Sequence, residues 1–290
     1  SNLVQATHGW PIAVYLGSRV TAPATLGNLT YVSAFLDQEV LRDADPDTVA
    51  LLQATAGLLD LSADLCDFVL EQNRSAQLLE RAERSSLLVT RSQDHDWFRL
   101  HPLLREHLQS RLAQEDPEHY RTVALRASQW SLRQGHIDRA ITYARDSGDA
   151  EQLGVTIWEG ASQALTTGQA QRVVDWLAAV DDSTIAQTCP IALAAAWCAV
   201  YRGRPADAHR WSQAAFGTAY DGWENNLDRS SMEAGLALLL SMAGSLGYHA
   251  SAELAGRAMH SLPSEHVVVP FAQMLAGWMN TLDGASDIGI

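Results

Sequence analysis

Four glycines, Gly135, Gly168, Gly203 and Gly247, stand at intervals of 33, 35 and 44 residues. Five residues after each comes a small or branched apolar side chain: Ala140, Val173, Ala208 and Ala252. A recurrence of about 34 residues is the period of stacked helix pairs, with the glycine in the turn and the small residue where two helices cross closely. Between the first two glycines, Ile137, Ala140, Ile141 and Ala144 fall at i, i+3, i+4 and i+7, one face of a helix. One such pair cannot bury its apolar face alone, so stacking is obligatory and generates a right-handed solenoid with an inner surface. The longer third interval places an insertion at Tyr220–Arg229.

Proline placement extends the helical reading toward the N-terminus. Five of nine prolines, Pro46, Pro102, Pro117, Pro190 and Pro205, stand where a helix would begin. A proline in the first turn sacrifices no intrahelical bond, and Asp45 and Asp116 precede two of them as N-caps. One strand pair is visible, Leu87–Thr90 and Trp97–Leu100, joined by the polar run Arg91–Asp96. Residues 28–114 therefore read as helices Leu29–Arg42, Pro46–Thr55, Ala63–Glu71 and Ala76–Ser85, the hairpin, and helix Pro102–Gln114. That is the order of a winged helix. The expected fold is mainly α: a winged-helix domain with a small β-hairpin, then a tetratricopeptide-like α-solenoid.

Composition removes several kinds of chemistry. All 20 basic residues are Arg, so the lysines of P-loops, Schiff-base enzymes and kinases have no counterpart. Net charge is -14, which opposes a broad nucleic-acid footprint. Within 28–114, 8 Arg face 14 Asp and Glu, so direct DNA reading by the winged helix is disfavoured. Three cysteines without C-x-x-C spacing support neither a disulfide framework nor a zinc site, and point to a reducing cytoplasm. No apolar stretch reaches the roughly 20 residues of a membrane span, so no membrane partner is expected. H-E-x-x-H, G-x-S-x-G and a glycine-rich phosphate loop are all absent, and the ten histidines are scattered. Asp94-His95-Asp96 reads as a solvated hairpin tip. Trp130, Trp158, Trp176 and Trp211 fall within helices and read as packing between repeats. The chain is expected to be non-enzymatic, with no metal site.

Two stretches stand out. Thr7-His8-Gly9-Trp10-Pro11-Ile12-Ala13-Val14 opens a helix with proline in its first turn, and Trp97-Phe98-Arg99-Leu100-His101-Pro102-Leu103-Leu104-Arg105 runs from the second strand straight into a helix. With the order of elements around them, they make the chain resemble the maltose-regulon activator-like (MalT-like) LuxR-type regulators of the STAND class of signal-transduction ATPases. The resemblance implies three segments: 1–27, the C-terminal helical remnant of a nucleotide module; 28–114, the winged helix; and 115–290, a sensor arm. It also implies that Gly9 and Pro11 form the Gly-x-Pro motif beside adenine, and that His101 reaches the β-phosphate of ADP. Pro102 stands where many relatives have Asp, a departure that removes an acidic partner. An imidazole N–H at a helix N-terminus is a suitable anion donor.

The resemblance further implies that this is the middle of a larger regulator. A P-loop core would precede it and a helix-turn-helix would follow, and only the latter would bind DNA. ATP or ADP would be a cofactor of the full-length protein only. An inducer, a small molecule or a protein, would bind the inner surface of the arm from about Pro117 onward and release the protein to self-associate. The rival reading is a tetratricopeptide-type protein-interaction scaffold with no nucleotide role.

Overall fold

The computed structural model describes residues 33–42, 44–85, 88–92, 96–218, 229–242, 252–253, 255–256, 259–260, 266 and 269–282. The chain divides between Gln134 and Gly135 into two compact units, with Asp146–Gly148 grouped with the first. The mainly α fold expected from the sequence is the one observed, with a two-stranded sheet as the β component.

In the first unit, a π-helix, Leu36–Leu41, leads into α1 (Pro46–Ala54), α2 (Ala63–Leu70) and α3 (Ser75–Arg84). Strands β1 (Val89–Arg91) and β2 (Phe98–Leu100) follow, then α4 (Pro102–Glu115) and α5 (Pro117–Arg133). The anticipated caps are present. Asp45 accepts from the Thr48 amide at 2.9 Å and Asp116 from the His119 amide at 3.0 Å. Ser62 adds a cap on α2 through the Leu65 amide. The strands pair antiparallel with Val89 opposite Leu100, and alternation along β2 buries Phe98 and Leu100 while Arg99 points outward. Leu61 exchanges two backbone hydrogen bonds with Phe98, at 2.7 and 2.8 Å, which tethers the α1–α2 connection to the wing. Leu52, Leu61, Leu65, Leu79, Leu104 and Leu108 form the dry centre.

Two details differ from the sequence reading. The first helix, expected as one α-helix over Leu29–Arg42, changes to π geometry at Leu36; its start lies outside the described residues. Helix α5, placed by the sequence reading at the start of the arm, groups with the winged helix. It packs on α2, and its Tyr120 ring lies 2.8 Å from where a Cβ on Gly57 would sit, so that glycine is what lets the ring approach. Trp130 on α5, expected as packing between repeats, meets Trp97 of the wing at 6.1 Å between ring centroids.

The second unit holds α6 (Ile137–Ser147, whose last residues are grouped with the first unit), α7 (Ala150–Thr166), α8 (Ala170–Ala178), α9 (Asp182–Gln187), α10 (Cys189–Tyr201), α11 (Pro205–Gly217), α12 (Arg229–Met242) and α13 (Val269–Leu282). Gly135, Gly168 and Gly203 take left-handed φ values of 74°, 74° and 65°, the geometry glycine permits after a helix end. Gly247 lies outside the described residues, as does the expected insertion at Tyr220–Arg229 apart from its last residue. Gly148, with φ 73°, makes a further turn of the same kind between α6 and α7.

Helix α10 is the hub. It packs against α7, α8, α9, α11 and α12, and every residue from Cys189 to Ala199 is buried. Its uniformly apolar, alanine-rich sequence is what a helix surrounded on all sides requires. Trp158 and Trp197 fill the centre, and the Trp197 indole donates to the Gly235 carbonyl at 3.3 Å. Glycines inside helices let the elements come close. A Cβ on Gly160 would meet Ile137 Cγ2 at 2.6 Å and the Trp176 ring at 3.1 Å. No helix among the described residues is long and apolar enough to cross a membrane.

Candidate functional site

The hairpin delivers one residue, His101, between the end of β2 and the first turn of α4. Its amide donates to the Leu88 carbonyl at 2.7 Å, and Leu88 itself adopts a left-handed φ of 56°, a conformation costly for a branched side chain. Pro102 holds the first helical position, so the next amide that needs an acceptor is that of Leu103. It donates to His101 Nδ1 at 3.3 Å. This cap fixes the chemistry of the ring. With Nδ1 accepting, the proton of the neutral imidazole resides on Nε2, which makes Nε2–H the ring's donor.

His101 lines a cavity of about 510 Å³ with Asp60, Thr90, Arg99 and Arg105 among its other walls. Asp60 is neutralised by Arg99 at 2.7 Å. Arg105 follows His101 by one helical turn and shares its face of α4. Its Nε is buried and has no hydrogen-bond partner. The sequence reading quoted Arg105 within the His-Pro-Leu-Leu-Arg run without giving it a role. The i, i+4 spacing from His101 was the signal available.

The opposite side of α4 bears a different cluster. His107 Nε2 lies 2.9 Å from Asp37 Oδ1 on the π-helix, and Arg111 reaches the same carboxylate at 3.6 Å. These contacts clamp the incoming helix to α4 beside a cavity of about 460 Å³. His101 and His107, six residues apart, thus have different partners.

Gly9 and Pro11 lie outside the described residues, as do Asp94 and His95. In the second unit, a cavity of about 320 Å³ opens between α10, α11 and α12, with Val200, Ala208 and Leu239 as apolar walls and Arg204 and His209 as polar ones. The cysteines are all buried. Burial pushes the Cys189 thiol up to about 12 and raises the Cys66 and Cys198 thiols as well, so none is a poised nucleophile. Among the described residues, no cluster of three or more His, Cys, Asp or Glu could hold a metal ion.

Residues 37–120 match the MalT winged helix domain family. The winged helix is thus similar to that of MalT. Curated relatives include the HTH-type transcriptional regulator MalT of Cronobacter sakazakii, 34% identical over 131 residues, or 43% of this chain and 14% of that protein. MalT of Klebsiella pneumoniae subsp. pneumoniae is 30% identical over 175 residues, 59% of this chain and 19% of that protein. The chain thus matches less than a fifth of the length of these curated relatives. Among solved structures, a Signal Transduction ATPase with Numerous Domains (STAND) protein with a tetratricopeptide repeat sensor from Pyrococcus horikoshii aligns at a TM-score of 0.44 and 12% identity, covering 99% of this chain and 48% of that one. The MalT-type resemblance read from the His-Pro-Leu-Leu run is matched over the winged helix.

Proposed function

We propose that this chain is the switch and sensor segment of an ATP-dependent transcriptional regulator. The winged helix would grip the nucleotide in the resting state, and the helical arm would receive the inducer. The observation that carries this reading is the MalT-type winged helix with His101 capped through Nδ1, because that cap leaves the imidazole oriented as an N–H donor at a helix N-terminus, where anions are favoured. In this reading the nucleotide is ADP, held jointly with a P-loop module, and Gly9 and Pro11 border its adenine. Inducer binding to the arm shifts the equilibrium only by its difference in affinity for the two states. Release would allow self-association and DNA binding through a helix-turn-helix domain. The alternative, a scaffold without nucleotide, predicts no effect of His101 on any nucleotide.

The cap complicates the obvious variant, since His101→Ala removes both the helix cap and the phosphate donor. His101→Asp separates them: a carboxylate caps α4 as well as imidazole does but repels phosphate. In a chain carrying the P-loop module, both variants are expected to weaken ADP retention by about ten- to a hundredfold, the loss of one hydrogen bond to a charged group. Both should also move the protein toward inducer-independent activity. ADP affinity unchanged in His101→Asp, with inducer dependence intact, refutes the nucleotide role and leaves His101 as a structural cap.

A further inference from the structure

The glycine turns of the arm put three of its helices in register, because α6, α8 and α11 each begin two residues after a glycine, at Ile137, Ala170 and Pro205. In that register α11 departs from its two counterparts. Five residues after the glycine, Ala140 and Val173 are wholly buried, whereas Ala208 is half-buried and lines the cavity of about 320 Å³ between α10, α11 and α12. At the next position Ile141 and Val174 pack against the core, and α11 has His209. Three residues on, Ala144 and Leu177 do the same, and α11 has Ser212. An arm built only for stacking would close this space with aliphatic side chains, as the two earlier helices do. In α11 it stays open, and polar residues stand at two of its walls.

The chemistry of those walls selects a ligand. The buried Ser212 hydroxyl already donates to the His209 carbonyl at 2.9 Å. The His209 ring is exposed and makes no hydrogen bond or ion pair among the described residues. Residues 202–210 carry three Arg and one Asp, a positive segment in a chain of net charge -14. Arg210 is held by Asp182 at 2.7 Å, which leaves Arg202 and Arg204 against Asp207 alone. Arg204 meets Asp207 at 3.7 Å, with both side chains about half exposed, a loose pair whose guanidinium can accept a second carboxylate. Val200, Pro205, Ala208 and Leu239 supply the apolar surface. The volume suits a small molecule, since ligand pockets begin at about 300 Å³. We propose that this cavity binds a small amphipathic carboxylate, with its hydrocarbon part against Val200, Ala208 and Leu239 and its head at Arg204 and His209. The inference deepens the sensor reading, on which it rests only for the ligand's role as inducer.

Octanoate is the probe, titrated into the 290-residue chain and followed by calorimetry and by the ring resonances of His209. The wild type is expected to bind it, and the His209 resonances to move as it does. Octylamine, with the same tail and the opposite charge, should bind about tenfold more weakly or less. Arg204→Gln should weaken octanoate by about tenfold, and Arg84→Gln, on an exposed pair with Glu80, should leave it unchanged. Ala208→Leu fills the space with hydrocarbon, so it should remove binding while the melting temperature holds or rises. No binding by the wild type, unmoved His209 resonances, octylamine bound as tightly as octanoate, or full affinity in Ala208→Leu each overturns the proposal. The resonances and the comparison of the two probes need no variant, so poor folding of Ala208→Leu does not blunt the test. In a longer chain carrying the P-loop module, octanoate bound without any change in regulator activity would keep the site and remove its role as the inducer site.

Discussion

Gly160 is the position where the packing of the arm can be tested most sharply. Replacing an interior helical glycine by alanine normally stabilises a helix by about 1 kcal/mol. Here the new Cβ would lie 2.6 Å from Ile137 Cγ2 and 3.1 Å from the Trp176 ring, well inside contact distance. Neither neighbour is free to retreat. Ile137 opens α6 and packs against the core, and the Trp176 indole is anchored to Asp138 at 2.8 Å. Overpacking of this kind costs about 1–3 kcal/mol, so Gly160→Ala is expected to lose up to about 2 kcal/mol net. The urea midpoint of the arm, followed by Trp fluorescence, reads the effect. Ile137→Ala removes the nearest obstacle, and in that background the same substitution should be neutral or stabilising, a coupling of about 1–3 kcal/mol. A Gly160→Ala protein more stable than wild type by the full propensity gain would refute the close approach of α6 and α7. So would an identical loss in both backgrounds.

Two further outcomes follow from the chain's chemistry. Hydrogen bonds from the Thr48 hydroxyl and amide, with help from Arg81, hold the Asp45 carboxyl below its ordinary 3.8. Because the folded value is depressed, the cap's contribution is present above about pH 4 and is lost as pH falls through the folded value. The melting-temperature gap between wild type and Asp45→Ala should therefore narrow in acid, and a gap that widens as the pH falls below 4 would contradict the assignment. Lacking any Lys or glycine-rich loop, the chain by itself should not hydrolyse ATP. Steady-state phosphate release that a point substitution in this chain abolishes would contradict that expectation.

Legibility in the sequence followed from how local each signal was. Pro46, Pro102, Pro117 and Pro205 announced their helices because a proline acts on its own first turn, and Pro270 in the first turn of α13 obeys the same rule without having been singled out. Gly135, Gly168 and Gly203 were legible because a left-handed turn has almost no other tenant. The bridge between Leu61 and Phe98 was not, since 37 residues separate the partners and neither flank alternates long enough to read as a strand. Gly154, Gly160 and Gly235 were equally silent: an interior glycine reveals a close crossing only when the neighbour from another helix is known. At the site, His101 was visible through its motif. The unpartnered Nε of Arg105 became visible only once the surroundings of α4 were known. Asp37 was hidden for a similar reason, since its partners His107 and Arg111 lie some 70 residues away.

The single-residue joint between β2 and α4 has a mechanical consequence. A strand and a helix separated only by His101 cannot move independently, because the His101 amide is tied to Leu88 and its ring to Leu103. The joint is a fulcrum, and α4, 14 residues long, is a lever of roughly 21 Å. A tilt of about 10° at His101 would carry Glu115 through nearly 4 Å, several times the displacement at the cavity itself. Halfway along the lever, Gln109 donates to the Tyr120 hydroxyl, so α5 is pulled along with α4. A change too small to see at His101 would thus be large by the time it reached Asp116, where α5 begins.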